Sequence, residues 1–170
     1  MTPLRVARLK AAQDGWIEVT FDSGWHCRIG IVADGLGRVL FTAPDGLREP
    51  VTWSIAPNVG KAQDRTQVFA RSIASVAQSN DGATAESATL RANIRLEPFA
   101  IDWEQKIGDN WHVCCRDRAS YAYGSAARSG TLTHWQARDA EDQYFGLGDK
   151  TGPLNKSGRR LRTRQLDALG

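Results

Sequence analysis

The 170-residue sequence predicts an all-β chain folded as an antiparallel two-sheet sandwich, and three observations predict it. Apolar and polar residues alternate in short runs, the period of a half-buried strand. Turn signals rich in Gly, Asp and Asn punctuate those runs at short intervals. No convincing amphipathic helix separates them, which leaves sheet-on-sheet packing as the way to bury the apolar faces.

In "WIEVTFD", Ile17, Val19 and Phe21 share one parity while Glu18, Thr20 and Asp22 share the other. Val51, Trp53 and Ile55 repeat that pattern. "CRIGIVADGLGRVLFTAPDG" holds two runs separated by "ADGLG" and reads as a hairpin. "QVFARSIASVAQ" also fits helical spacing through Phe69, Ile73 and Val76, but the turn "SNDGAT" and the partner run "ESATLRANIRLEPFAIDWEQ" favour a strand in a hairpin. Within that partner Ala92, Ile94 and Leu96 alternate, and parity switches after Pro98 to Phe99, Ile101 and Trp103. The switch is a bulge or a break between two strands. Further strands are predicted at "NWHVCCRDR" and "TLTHWQARD", joined through "YAYGSAARSG". Ile17, Val19, Phe21, Val51, Trp53, Ile94 and Leu96 are the expected inward-facing residues.

The length and the 41% hydrophobic content suit one domain over 1–170. The net charge is only +3, and Lys156, Arg159, Arg160, Arg162 and Arg164 concentrate the basic excess near the C-terminus, so nucleic acid is not the expected partner. The N-terminus lacks an uninterrupted apolar segment, and no run of 18 apolar residues follows. The chain reads as soluble and cytoplasmic, with no membrane partner. Three cysteines cannot all pair, which fits free thiols in a reducing compartment.

The stretch "YFGLGDKTGPLNKSGRR" invites a phosphate-loop reading. A Walker A loop needs Gly immediately before its Lys; Asp149 stands there, and Gly152 and Pro153 break any following helix. His26, His112, His134 and the cysteines show neither C-x-x-C nor H-x-x-x-H spacing, so no metal or other cofactor is expected. No nucleophile elbow or Cys–His motif is present. Asp139, Glu141 and Asp142 cluster like a paired-carboxylate site, yet three acids on a polar turn read better as solvated. Six tryptophans suggest a carbohydrate platform, although indoles of a sandwich mostly fill its core.

From Gln143 onward the chain resembles the signature closing the N-terminal β-sandwich of glycoside hydrolase family 31, the α-glucosidases and relatives. That signature runs Tyr/Phe-Gly-Leu-Gly-Glu-Lys-Thr-Gly, a Pro-Leu turn, Gly-Arg-Arg, then a segment close to Trp-Asn-Thr-Asp-Ala. Here Phe145, Gly146, Leu147, Gly148, Lys150, Thr151, Gly152, Pro153, Leu154, Gly158, Arg159, Arg160, Asp167 and Ala168 stand in matching places. Asp149 replaces the usual Glu, and Arg164, Gln165 and Leu166 replace Trp, Asn and Thr.

The resemblance implies a galactose mutarotase-like sandwich over 1–170, with 146–170 a junction leading to a (β/α)₈ barrel that this sequence lacks. A barrel needs about 250 residues and carries the chemistry on its own loops. The resemblance therefore implies a non-catalytic domain of a retaining α-glycosidase, with no catalytic residue in this chain. Its partners would be that barrel and an α-linked oligosaccharide substrate, and the domain would lend a loop to the rim of the sugar pocket. Asp167, in the place of the family aspartate, is the substrate-binding candidate on the aglycone side. A free-standing carbohydrate-binding module, or a small protein binding an acidic partner through its basic tail, are the alternatives.

Overall fold

The computed structural model describes residues 1–46, 71–126, 130–146 and 152–161. The chain divides into two compact units, Met1–Ala137 and Arg138–Gly170. The described residues of the first unit form twelve strands and no helix. They are β1 (Thr2–Pro3), β2 (Val6–Ala11), β3 (Ile17–Phe21), β4 (His26–Ala33), β5 (Leu36–Thr42), β6 (Ser75–Gln78), β7 (Gly82–Glu86), β8 (Leu90–Leu96), β9 (Phe99–Ile107), β10 (Asn110–Cys115), β11 (Tyr123–Ala126) and β12 (Thr131–His134).

All pairings are antiparallel. One sheet has the order β2-β3-β4-β5, a second β10-β9-β8-β7-β6, and a small third β1-β11-β12. The first two carry the core between them, as a sandwich requires. Ile17, Val19 and Phe21 of β3 and Cys27 and Ile29 of β4 pack with Ala83, Ala85, Ala92, Ile94, Phe99 and Ile101 of the second sheet. Tyr123 of β11 joins the third sheet to this core, with ring centroids 5.0 Å from Phe41 and 5.2 Å from Phe99.

The alternation in "WIEVTFD" is the strict buried and half-buried pattern of β3. The "ADGLG" hairpin joins β4 to β5 through Asp34-Gly35, with Ala33 opposite Leu36. Gly35 sits at φ +69°, the left-handed region such a two-residue turn demands. The parity switch at Pro98 is a break: β8 and β9 pair as a hairpin with Leu96 opposite Phe99. Ser75–Gln78 is strand rather than helix. Leu96 is half-buried, not fully inward. Val51, Trp53, Ile55 and Phe69 lie outside the described residues.

Three features depart from the sequence reading. "SNDGAT" does not join β6 directly to the run at 90–96; it joins β6 to β7, which then pairs with β8. The buried parity of β7 is carried by Ala83 and Ala85, side chains too small to register as an apolar run. "YAYGSAARSG" is not a plain connection, because Tyr123–Ala126 is strand β11, paired to both β1 and β12. The N-terminal β2 went unread because its register shifts between Val6 and Arg8, which scrambles the alternation.

Candidate functional site

Among the described residues of the first unit, the most buried charged side chain is Asp117, 2% exposed. It continues the parity of β10 from Cys115, and an isolated bridge pairs it with Gln136 beyond β12. One carboxylate oxygen accepts the Ile101 N–H at 2.8 Å, and the other lies 2.6 Å from His134 Nε2. The Asp117 N–H donates to Asp102 Oδ1 at 3.0 Å. The Tyr123 ring stacks on the His134 imidazole, centroids 4.4 Å apart and 3° from parallel. Burial, then the Asp117 charge, pushes the Tyr123 hydroxyl far above its ordinary range.

A His–Asp pair serves catalysis when the histidine also holds a nucleophile. Among the described residues no hydroxyl or thiol is hydrogen-bonded to His134. The cluster therefore clamps β9, β11 and β12 together, and His134 is a satisfied structural histidine. Sequence reasoning missed Asp117; the available signal was an aspartate at an inward parity position next to Cys115.

The other histidines are separate: His26 Nδ1 lies 3.3 Å from Thr20 Oγ1, and His112 is exposed on β10. Among the described residues no group of three or more His, Cys, Asp or Glu is placed to hold a metal. The cysteines are free thiols. Cys27 is buried, which pushes its thiol far up. Cys115 accepts a hydrogen bond from Gln136 Nε2 at 2.6 Å, and burial raises its thiol as well.

Of the tryptophans, Trp16 and Trp25 are core. Trp103 is half-buried, its ring lying across the β5 backbone so closely that a Cβ at Gly37 would meet it at 2.4 Å. Trp111 is half-buried with the Arg91 guanidinium 4.1 Å from its centroid. Trp135 stands edge-on to Tyr121 at 5.0 Å. Each described indole thus already has a partner.

In the second unit the acidic trio forms a turn. Asp142 Oδ2 accepts the Asp139 N–H at 2.8 Å, and Asp142 N–H donates to the Asp139 carbonyl. That use of Asp142 matches the solvated-turn reading and supplies no pair of carboxylates across a bond. The chain then doubles back. Lys156 N–H donates to the Tyr144 carbonyl at 2.7 Å, Tyr144 N–H and Ser157 N–H both donate to Asn155 Oδ1, and Ser157 Oγ donates to the Asp142 carbonyl. Gly146, Gly152 and Gly158 have φ of +98°, +100° and +72°, the left-handed conformation that glycine adopts at least cost. At Gly152 a Cβ would also approach Arg159 Nη1 to 2.9 Å. Phe145 and Leu154 are 63% and 83% exposed. Asp149, Lys150, Thr151 and the candidate Asp167 lie outside the described residues.

The chain matches the model of the glycosyl hydrolase 31 N-terminal galactose mutarotase-like domain over residues 26–170. Two structures of a Flavobacterium johnsoniae GH31 dextranase, one complexed with glucose and one a mutant complexed with isomaltotriose, each match it with a TM-score of 0.67 at 12% identity. Each match covers 92% of this chain and 18% of the dextranase chain, so this chain spans less than a fifth of that enzyme. No curated protein matches the chain. At 12% identity the likeness to the dextranase is one of fold.

Proposed function

Because this chain belongs to the glycosyl hydrolase 31 N-terminal galactose mutarotase-like domain family, we propose that it is the non-catalytic N-terminal domain of a retaining, α-glucosidase-like glycosidase acting in the cytoplasm. The observation that carries this reading is a family match running through the glycine-rich junction. Exposed Phe145 and Leu154 support it, since bulky apolar side chains at such a segment suit a surface covered by a following domain. The junction leads to a (β/α)₈ barrel that supplies both catalytic carboxylates. The domain packs on that barrel and contributes to the rim of the sugar pocket, with Asp167 hydrogen-bonding the sugar beyond the scissile bond.

Hydrolysis of an aryl α-glucoside and of maltose, by the 170-residue chain and by the full-length gene product, tests the proposal. The chain alone shows no turnover, and the full-length protein hydrolyses with retention. Turnover by the chain that survives removal of contaminating glucosidase overturns the non-catalytic role, and a full-length protein inert on every α-glycoside overturns the assignment. For Asp167→Ala in the full-length enzyme, loss of a charge-assisted hydrogen bond of about 1.5–3 kcal/mol lowers kcat/KM on maltose roughly ten- to a hundredfold. An activated aryl glucoside, lacking the second sugar, loses much less. Equal losses on both substrates remove Asp167 from direct sugar contact.

A further inference from the structure

The first unit holds a cleft of about 750 Å³ that the domain's family role leaves without a use. Its volume falls in the ~300–1,000 Å³ range of small-molecule sites. It gathers residues from the N-terminal segment, the β3–β4 turn, the β6–β7 turn, the β8–β9 turn and the loop before β11. The rim is charged and the floor is apolar. Arg5 and Arg8 face the cleft together with Asp22, Asp81 and Glu97, all of them exposed. Half-buried Leu96 and Pro98 and buried Phe99 supply apolar lining.

Two guanidiniums and three carboxylates share this concavity. Among the described residues none of the five side chains makes an ion pair or a hydrogen bond. The rim is nonetheless held in place by backbone bonds. Asp22 N–H donates to the Arg5 carbonyl at 3.0 Å, Leu96 N–H to the Asp81 carbonyl at 3.2 Å, and Leu4 N–H to the Tyr123 carbonyl at 3.1 Å. Tyr121 is likewise fixed, edge-on to Trp135 and with the Arg118 guanidinium 4.5 Å from its centroid. The cleft is thus a fixed frame of unengaged donors and acceptors.

The mixture of signs selects the ligand class. An anion would meet three carboxylates, and a cation would meet two guanidiniums. A neutral polyol meets neither penalty, because each hydroxyl both donates and accepts and satisfies carboxylate and guanidinium alike. Sugar rings also present C–H faces suited to the apolar floor. We propose that this cleft, in the first unit, is a binding site for a neutral oligosaccharide. The choice of α-linked glucose units as probe rests on the glycosidase reading above; the cleft itself does not.

Titration of the ¹⁵N-labelled 170-residue chain with maltotriose, followed by amide shifts, tests it. Saturable shifts are expected at Arg8, Asp81, Glu97 and Tyr121. Arg8→Ala and Glu97→Gln, both at exposed positions, each weaken binding about tenfold or more. Lys106→Ala, beside Trp111 on another face, leaves it unchanged. Inorganic phosphate does not compete. The proposal is overturned by absent or non-saturating shifts, by shifts confined to the Trp111 face, by cleft variants that bind as tightly as wild type, or by competition from phosphate. A full-length enzyme that hydrolyses α-glycosides while the chain shows no saturable shift rejects the cleft and leaves the domain assignment standing. If the full-length protein is inert, the assignment fails and the maltotriose titration still decides the cleft.

Discussion

Replacing Asp117 with alanine removes the acceptor of the Ile101 N–H in a region where both residues are almost fully buried. An orphaned buried donor costs about 1–3 kcal/mol. The contact with His134 is 2.6 Å long, but the His134 side chain is 38% exposed, so solvent screening limits its share to about 1 kcal/mol or less. The vacated volume and the lost support for Tyr123 bring the total to about 3–5 kcal/mol, the usual cost of removing one member of a buried polar pair. That is a large fraction of the roughly 5–15 kcal/mol that holds a domain folded. Asp117→Asn keeps the volume and one acceptor oxygen and costs about half as much, while His134→Ala costs about 1 kcal/mol. Urea unfolding at pH 7 with linear extrapolation measures all three, provided the slopes agree among variants. If Asp117→Ala and Asp117→Asn both unfold within 0.5 kcal/mol of wild type, the carboxylate clamps nothing and the account of this cluster is wrong.

Alkaline pH destabilises the domain, because burial raises Cys27 above its ordinary 9.0 and Tyr123 above its ordinary 10.0. Between pH 9 and 10 the unfolded chain releases the Cys27 proton while the folded chain keeps it, so stability is present below pH 9 and falls by about 1.4 kcal/mol per unit above it. Urea midpoints from pH 8 to 10.5 show this, and Cys27→Ala makes the fall shallower, leaving the part carried by Cys115, whose thiol burial also raises; a flat profile refutes the burial argument. Gly82→Ala places a Cβ 1.9 Å from the Ile94 carbonyl oxygen and costs about 2–3 kcal/mol by forcing β7 from β8; an unchanged thermal midpoint would contradict that packing. Phe145→Ser and Leu154→Ser leave the isolated chain within about 0.5 kcal/mol of wild type. The same changes destabilise the full-length protein if a following domain covers them, and equal neutrality in both contexts removes the docking role.

What the sequence made legible follows the size of the side chains that carry each pattern. β3 and the β4–β5 hairpin were readable because Ile, Val and Phe mark most inward positions and Asp-Gly marks the turn. β7 was not, since Ala83 and Ala85 face the core without announcing it, and β2 was not, since its bulge breaks the parity. The glycine-rich stretch stood out for the opposite reason: its glycines and their spacing form a contiguous string, and three of them hold positive φ. Asp117 sat in plain sight as a charged residue on an inward parity, a conflict that only a buried set of donors resolves.

The cleft was beyond the reach of any motif. Arg5, Asp22, Asp81 and Glu97 come from four separate segments; the pairing of β2 with β3 sets Arg5 beside Asp22, and that of β7 with β8 sets Asp81 beside the β8–β9 turn that carries Glu97. In an antiparallel sandwich the sheets fix the frame while loops distant in sequence build the sites. A contiguous signature therefore shows which family such a domain belongs to, whereas a site assembled from scattered side chains comes into view only in the fold. The two kinds of evidence fail independently. Loss of maltotriose binding in Glu97→Gln with full hydrolysis retained by the enzyme would place the cleft outside the catalytic cycle, whereas a parallel fall in kcat/KM on long substrates alone would make it a holding site for the chain being cut.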